Sequence, residues 1–70
     1  MNYNEMAQEE LDQEFAYLRE CWEIYQALLL DAITIGDYEM AASHLDMVDW
    51  CEALGWEVIA EFERRQMEVK

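Results

Sequence analysis

The sequence predicts an all-α fold in which two long antiparallel helices form a helical hairpin. Its 70 residues contain no proline and only two glycines, and helix-forming residues dominate. One of the glycines, Gly36, lies near the middle of the chain, where we expect the turn between the helices. A chain of this length forms one domain at most. We therefore assign residues 1–70 to a single helical-hairpin domain, and Met1 at its start suggests a complete small protein.

The first predicted helix runs from about residue 4 to residue 35. Asn2 and Glu5 have the spacing of a capping box, and Asn4 is the competing N-cap. Apolar residues then recur at alternating steps of four and three, which is typical of a helix face packed against another helix. This predicted stripe contains Leu11, Phe15, Leu18, Trp22, Tyr25, Leu29 and Ala32.

The second predicted helix runs from about residue 38 to residue 66. Gly36 suits the left-handed position after the first helix, and Asp37 suits the N-cap of the second. Gly55 lies inside this helix and either allows the close approach of a bulky ring from the first helix, which we favour, or breaks the helix. The predicted buried centre contains Ala41, His44, Leu45, Val48, Cys51, Gly55, Ile59 and Phe62.

Each helix carries a further apolar flank beside its main stripe. Because 54% of the residues are apolar, a lone pair of helices leaves much of this surface exposed. Two hairpins packed through these flanks would form a homodimeric four-helix bundle. Alternatively, a monomer would bind a partner's helix there, and methionines would adapt to it. This apolar strip contains Tyr17, Cys21, Ile24, Leu28, Met40, Met47, Leu54 and Val58.

Charge is the strongest global feature of the chain. Seventeen Asp and Glu residues oppose four Lys and Arg residues, which gives a net charge of −13. This charge repels nucleic acids and anionic membranes and attracts basic proteins. Carboxylates three or four residues apart on a helix are about 5–6 Å from each other, close to the phosphate spacing of a nucleic-acid strand. The chain could therefore replace DNA or RNA in a basic groove, although high solubility is a simpler explanation of the charge.

The two tryptophans of the second helix are expected in different environments. Trp56 lies at the edge of the buried arc and should be half-buried. Trp50 lies on the polar side, where it could stack on an Arg or Lys of a basic protein while neighbouring acids pair with further cations. The alternative is that a dimer mate or a bend in the helix covers Trp50. The predicted partner-binding residues are Trp50, Asp46, Asp49, Glu57, Glu61, Glu20 and Glu23.

Residues suited to catalysis or metal binding are scarce. His44 is the only histidine, and no acid precedes it by three residues as a di-iron bundle requires. Together with Cys21 and Cys51 it cannot complete a zinc site. Neither cysteine has a cation beside it in sequence to activate it as a nucleophile, and no glycine-rich phosphate loop is present. We therefore expect no enzymatic activity, no metal and no cofactor.

These features predict a non-enzymatic, cytoplasmic binding protein. We expect no signal peptide, and no apolar run approaches the roughly 20 residues of a membrane span. The favoured function is occlusion of a basic, nucleic-acid-binding surface of a host protein. At the level of class alone, such a chain resembles inhibitors encoded by phages and mobile elements, including anti-restriction and anti-CRISPR nucleic-acid mimics. The alternative is an adaptor or chaperone-like module that binds a partner helix through the apolar strip.

Overall fold

The computed structural model describes residues 2–68 and contains two long helices packed against each other. A 3₁₀ turn at Tyr3–Glu5 precedes helix α1, Gln8–Ile35, which is followed by helix α2, Tyr38–Glu68. The molecule measures 51 × 18 × 15 Å, the shape of a single helical pair. The predicted all-α hairpin is therefore confirmed.

Helix α1 begins later than predicted. Asn2 precedes the 3₁₀ turn and its side chain makes no capping hydrogen bond. The N-cap of α1 is Ala7, whose N–H donates to Glu10 Oε1 at 3.4 Å. The chain changes direction at Met6, which is extended (ψ 142°), and this directs Tyr3 into the core. Burial of a large aromatic side chain outweighs one additional turn of exposed helix.

The turn between the helices lies at Gly36 and Asp37, as predicted. Gly36 is left-handed (φ 80°), and its N–H donates to the Ile33 carbonyl at 3.1 Å. The Asp37 N–H donates to the Ala32 carbonyl at 2.9 Å, which completes a Schellman motif. Asp37 Oδ1 then accepts from the Met40 N–H at 3.2 Å and caps α2. Because the turn is so short, the two helices must be antiparallel neighbours.

The core follows the predicted stripe of α1 closely and that of α2 in part. All seven stripe residues of α1 are buried or half-buried. On α2, Leu45 is 46% exposed, whereas Val58, predicted on the apolar strip, is fully buried. The buried face of α2 is thus rotated about the helix axis, away from Leu45 and towards Val58, relative to the predicted one. The buried apolar side chains are Tyr3, Leu11, Leu18, Ala32, Ala41, Val48, Cys51 and Val58.

Gly55 neither breaks α2 nor admits a ring of α1. Helix α2 is continuous from Tyr38 to Glu68. A Cβ added at Gly55 would meet no atom within 4 Å, so the predicted close approach is wrong. Leu18 and Trp22 of α1 line the same groove as Gly55, but the space directly above the glycine is open.

The N-terminal turn is attached to the end of α2. Tyr3 packs with Leu11, Leu18 and Val58. Arg65 donates to the carbonyl oxygens of Tyr3, at 3.3 Å, and of Met6. One arginine therefore ties the turn to α2 through backbone carbonyl oxygens.

Candidate partner-binding surfaces

Trp50 lies on the solvent side of α2, as predicted. Its side chain is 52% exposed. Asp46, Asp49 and Glu57 are exposed as well, and their spacing places them on the same side of the helix as Trp50. Within residues 2–68, no hydrogen bond or ion pair engages these three carboxylates. We refer to Trp50, Asp46, Asp49 and Glu57 as the Trp50 surface.

Glu61 does not belong to this surface, contrary to the prediction. It is 7% exposed and lies between two arginines of its own helix. Arg64 donates two hydrogen bonds to it, one at 2.8 Å to Oε2, and Arg65 donates one at 3.1 Å to Oε1. The hydrogen bonds from Arg64 chiefly lower the pKa of Glu61, from 4.5 to about 2, although burial opposes them. Glu61 therefore supports the fold. Its two cations lie three and four residues after it, a spacing that the sequence shows, but its burial could not be read from that spacing.

Glu20 and Glu23 are exposed but lie apart from Trp50. Both occupy the side of α1 opposite to the buried stripe that contains Leu18, so they point away from α2. Glu23 also pairs with Arg19 at 3.5 Å. The structure thus separates the predicted acidic residues into two groups on opposite outer sides of the hairpin.

The apolar strip is shorter than predicted because the N-terminal turn covers one end. Tyr3 and its neighbours bury Val58 completely, and Leu54 packs against the same cluster. Cys21 and Met47 are half-buried. The remaining members are exposed and form an open apolar surface: Tyr17, Ile24, Leu28 and Met40.

The Trp50 surface and the apolar strip are neighbours on α2. Trp50 lies three residues after Met47 and four before Leu54, the spacings at which helical side chains touch. At the covered end of the strip, burial raises the pKa of Tyr3, and the negative charges of Glu14 and Glu57 raise it further. Glu14 lies three residues before Tyr17 and Glu57 three after Leu54, so carboxylates from both helices flank the strip. Two surfaces that the sequence suggested as alternatives form one continuous apolar and acidic region.

A groove on another side of the hairpin was not predicted. It has a volume of about 190 Å³, and Arg19 of α1 and Glu52 of α2 lie at its edges. Trp56, which we expected to be half-buried, lines this groove and is 63% exposed. Phe15 and Trp22 are seven residues apart, so they lie on the same side of α1, and this spacing could have indicated an aromatic wall. The Gly55 groove is lined by Phe15, Leu18, Arg19, Trp22, Cys51, Glu52, Gly55, Trp56 and Ile59.

The cysteines and the histidine lie in packed positions. Cys51 is buried, and burial raises the pKa of its thiol. The His44 ring lies 6.1 Å from the Tyr25 ring. Among residues 2–68, no group of three or more His, Cys, Asp and Glu side chains is placed to hold a metal ion.

Neither helix, over the residues that the structure describes, has a stretch long and apolar enough to cross a membrane. No family model, curated protein or solved structure matches the chain.

Proposed function

We propose that this chain is a small acidic, non-enzymatic binding protein that docks its Trp50 surface onto a basic surface of another protein. The observation that carries this proposal is the distribution of ion pairs. Among residues 2–68, the three arginines pair with only three of the seventeen carboxylates, Glu23, Glu61 and Glu68. The other fourteen have no cationic partner in this part of the chain. The negative field of the molecule is therefore available to an external cation.

The basic surface that fits best is a nucleic-acid-binding groove. Carboxylates spaced by about 5–6 Å on a helix present charge at intervals similar to those of phosphates. Trp50 would stack on an Arg or Lys of the groove while Asp46, Asp49 and Glu57 pair with others. Bound in this way, the protein would exclude nucleic acid from the groove. An intracellular inhibitor encoded by a phage or mobile element would act by this mechanism.

A second candidate function uses the apolar strip. The exposure of Tyr17, Ile24 and Leu28 favours the docking of a partner's amphipathic helix, as in an adaptor. Because Trp50 adjoins the strip, both functions would involve Trp50. Only the first, however, requires the carboxylate at Asp49, and only the second requires the apolar side chain at Ile24.

The proposed active form is a homodimer arranged as a four-helix bundle. The chain exposes 5365 Å². A compact monomer of 8.4 kDa exposes about 4,600 Å². Association of two copies would cover the excess and leave the Trp50 surface of each free.

A pull-down from cell lysate tests the function. The baits are the native chain, a Trp50→Ala/Asp49→Lys variant, an Ile24→Glu variant and the control Glu63→Lys. Glu63 is exposed and forms no ion pair within residues 2–68, so its reversal alters charge away from Trp50. Bound proteins are eluted first with duplex DNA and then with salt.

We expect the native chain, Ile24→Glu and the control to capture a nucleic-acid-binding protein that duplex DNA and salt release. The Trp50→Ala/Asp49→Lys variant should not capture it. A partner that resists salt and is lost with Ile24→Glu would replace occlusion by the adaptor function. Equal capture by all four baits would overturn both.

A further inference from the structure

Within residues 2–68, no contact or backbone conformation explains why position 55 is a glycine. It lies in the middle of α2, where glycine is about 1 kcal/mol less favourable than alanine. Its φ is not positive, and a Cβ would meet nothing within 4 Å. Neither the backbone nor packing among residues 2–68 therefore requires it. The open space above Gly55 is explained if a group from outside the chain approaches there.

The groove around Gly55 is built to receive an apolar surface. Phe15 and Trp22 form one wall, Trp56 and Ile59 form the other, and Cys51 lies with Gly55 between them. Trp56 is 63% exposed although the groove is apolar. Aromatic side chains that remain exposed around a concave apolar surface are typical of interfaces.

We propose that the occupant of the Gly55 groove is a second copy of this chain. This proposal rests on the homodimer of the proposed function and names the interface. The exposed surface exceeds that of a compact monomer of the same mass by about 750 Å². Each partner in a standard protein interface buries about 800 Å². The excess area is therefore what one such contact would cover.

Charge selects the groove over the apolar strip as the dimer interface. Glu14 lies three residues before Tyr17 and Glu57 three after Leu54, where helical side chains are neighbours, so two strips would bring like charges together. The groove instead has Arg19 on one edge and Glu52 on the other. Arg19 lies seventeen residues before Gly36 and Glu52 sixteen after it, so the two are level in the hairpin.

A two-fold axis parallel to the helices makes these edges complementary. In the resulting dimer, α1 of each copy packs against α2 of the other copy at the same level. All neighbouring helices are then antiparallel. Arg19 then faces Glu52 of the partner subunit, and the contact occurs twice. Trp56 is level with Phe15, so it would pack on Phe15 of the partner subunit and close the space above Gly55.

Charge reversal tests the interface in the full-length chain. The dissociation constant of the dimer is measured by sedimentation equilibrium for the native chain, Arg19→Glu, Glu52→Arg and the double variant. We expect the native chain to be a dimer. Each single variant should raise the dissociation constant of the dimer at least roughly tenfold, and the double variant should restore the native value. The single variants change the net charge in opposite directions, so a general effect of charge would strengthen one dimer and weaken the other.

Two further variants locate the interface independently. Gly55→Leu should weaken the dimer while circular dichroism shows an intact helical fold, because its side chain fills the groove. Ile24→Glu, on the apolar strip, should leave the dimer unchanged. A monomeric native chain, a double variant that fails to restore the dimer, or dissociation by Ile24→Glu alone would overturn the proposal. None of these results depends on the pull-down, so failure of the interface and failure of the function are distinguishable.

Discussion

Glu61 and Tyr3 both bury a polar group but differ in their hydrogen bonding. The Glu61 carboxylate accepts hydrogen bonds from both Arg64 and Arg65. The Tyr3 hydroxyl is buried and, within residues 2–68, has no partner. A buried group without a partner keeps the full cost of its desolvation, whereas a paired one recovers it. The two residues should therefore respond in opposite ways to the removal of their polar atoms.

Tyr3→Phe should stabilise the fold. The ring keeps its packing against Leu11 and Val58, and removal of the hydroxyl relieves a desolvation cost of about 1–3 kcal/mol. Chemical denaturation monitored by circular dichroism measures the change. Tyr38→Phe is the control, because Tyr38 is 71% exposed and should be neutral. A loss of stability in Tyr3→Phe would mean that the hydroxyl has a partner.

Glu61→Gln should destabilise the protein in a pH-dependent manner. The pKa of Glu61 is lowered in the folded state, from 4.5 to about 2, mainly by its hydrogen bonds with Arg64. Its carboxylate therefore contributes stability that is fully present above pH 4.5 and is lost as the pH falls towards 2. The difference in Tm between the native chain and Glu61→Gln should be largest near neutral pH and shrink in acid.

Glu63→Gln is the matched control for this measurement. It removes the same charge from the same helix, but Glu63 is exposed and forms no ion pair within the described residues. Subtraction of its pH profile leaves the contribution of the pairs with Arg64 and Arg65. A difference in Tm that stays constant with pH would contradict the assigned role of Glu61.

At the scale of the elements, the N-terminal turn and the Gly36 turn depend on different kinds of contact. The Gly36 turn is held by local hydrogen bonds between the end of α1 and the start of α2. The N-terminal turn is held by distant ones, since Arg65 reaches the carbonyls of Tyr3 and Met6. Loss of a local contact affects one helix end, whereas loss of Arg65 would release the turn from the core.

Asp37→Ala should destabilise the hairpin by about 1 kcal/mol, because the Met40 N–H loses its cap. The measurement is the free energy of unfolding in urea. Asp31→Ala removes the same charge from the last turns of α1, where a carboxylate opposes the helix dipole, and it should be neutral or slightly stabilising. Equal losses in the two variants would show that the effect is one of charge and not of capping.

At the scale of the whole molecule, the net charge of −13 opposes folding and dimer formation but promotes docking to a basic partner. Salt should therefore favour folding and dimer formation and weaken docking to a basic partner. We expect Tm to rise between about 10 mM and about 1 M NaCl, as the Debye length falls from roughly 30 Å to roughly 3 Å. The affinity for a basic partner should fall over the same range. A Tm that falls with salt would mean that the arginine pairs outweigh the repulsion among the unpaired acids.

The local features of this protein could be predicted from its amino-acid sequence. The stripe from Leu11 to Ala32, the glycine at the turn and the cap at Asp37 follow from helical periodicity and from backbone preferences of single residues. The exposure of Trp50 followed for the same reason, because its side of α2 carries mostly polar residues. These features depend on neighbours within about one turn, and such neighbours can be read from spacing.

Features that depend on distant contacts could be recognised only once the packing of the two helices was known. Tyr3 enters the core because Arg65 and Val58 lie beside it, about sixty and fifty-five residues further along the chain. The rotation of α2 leaves Trp56 exposed and opens the Gly55 groove. Rotation about a helix axis is set by the total packing between two helices, so no single spacing in the sequence predicts it.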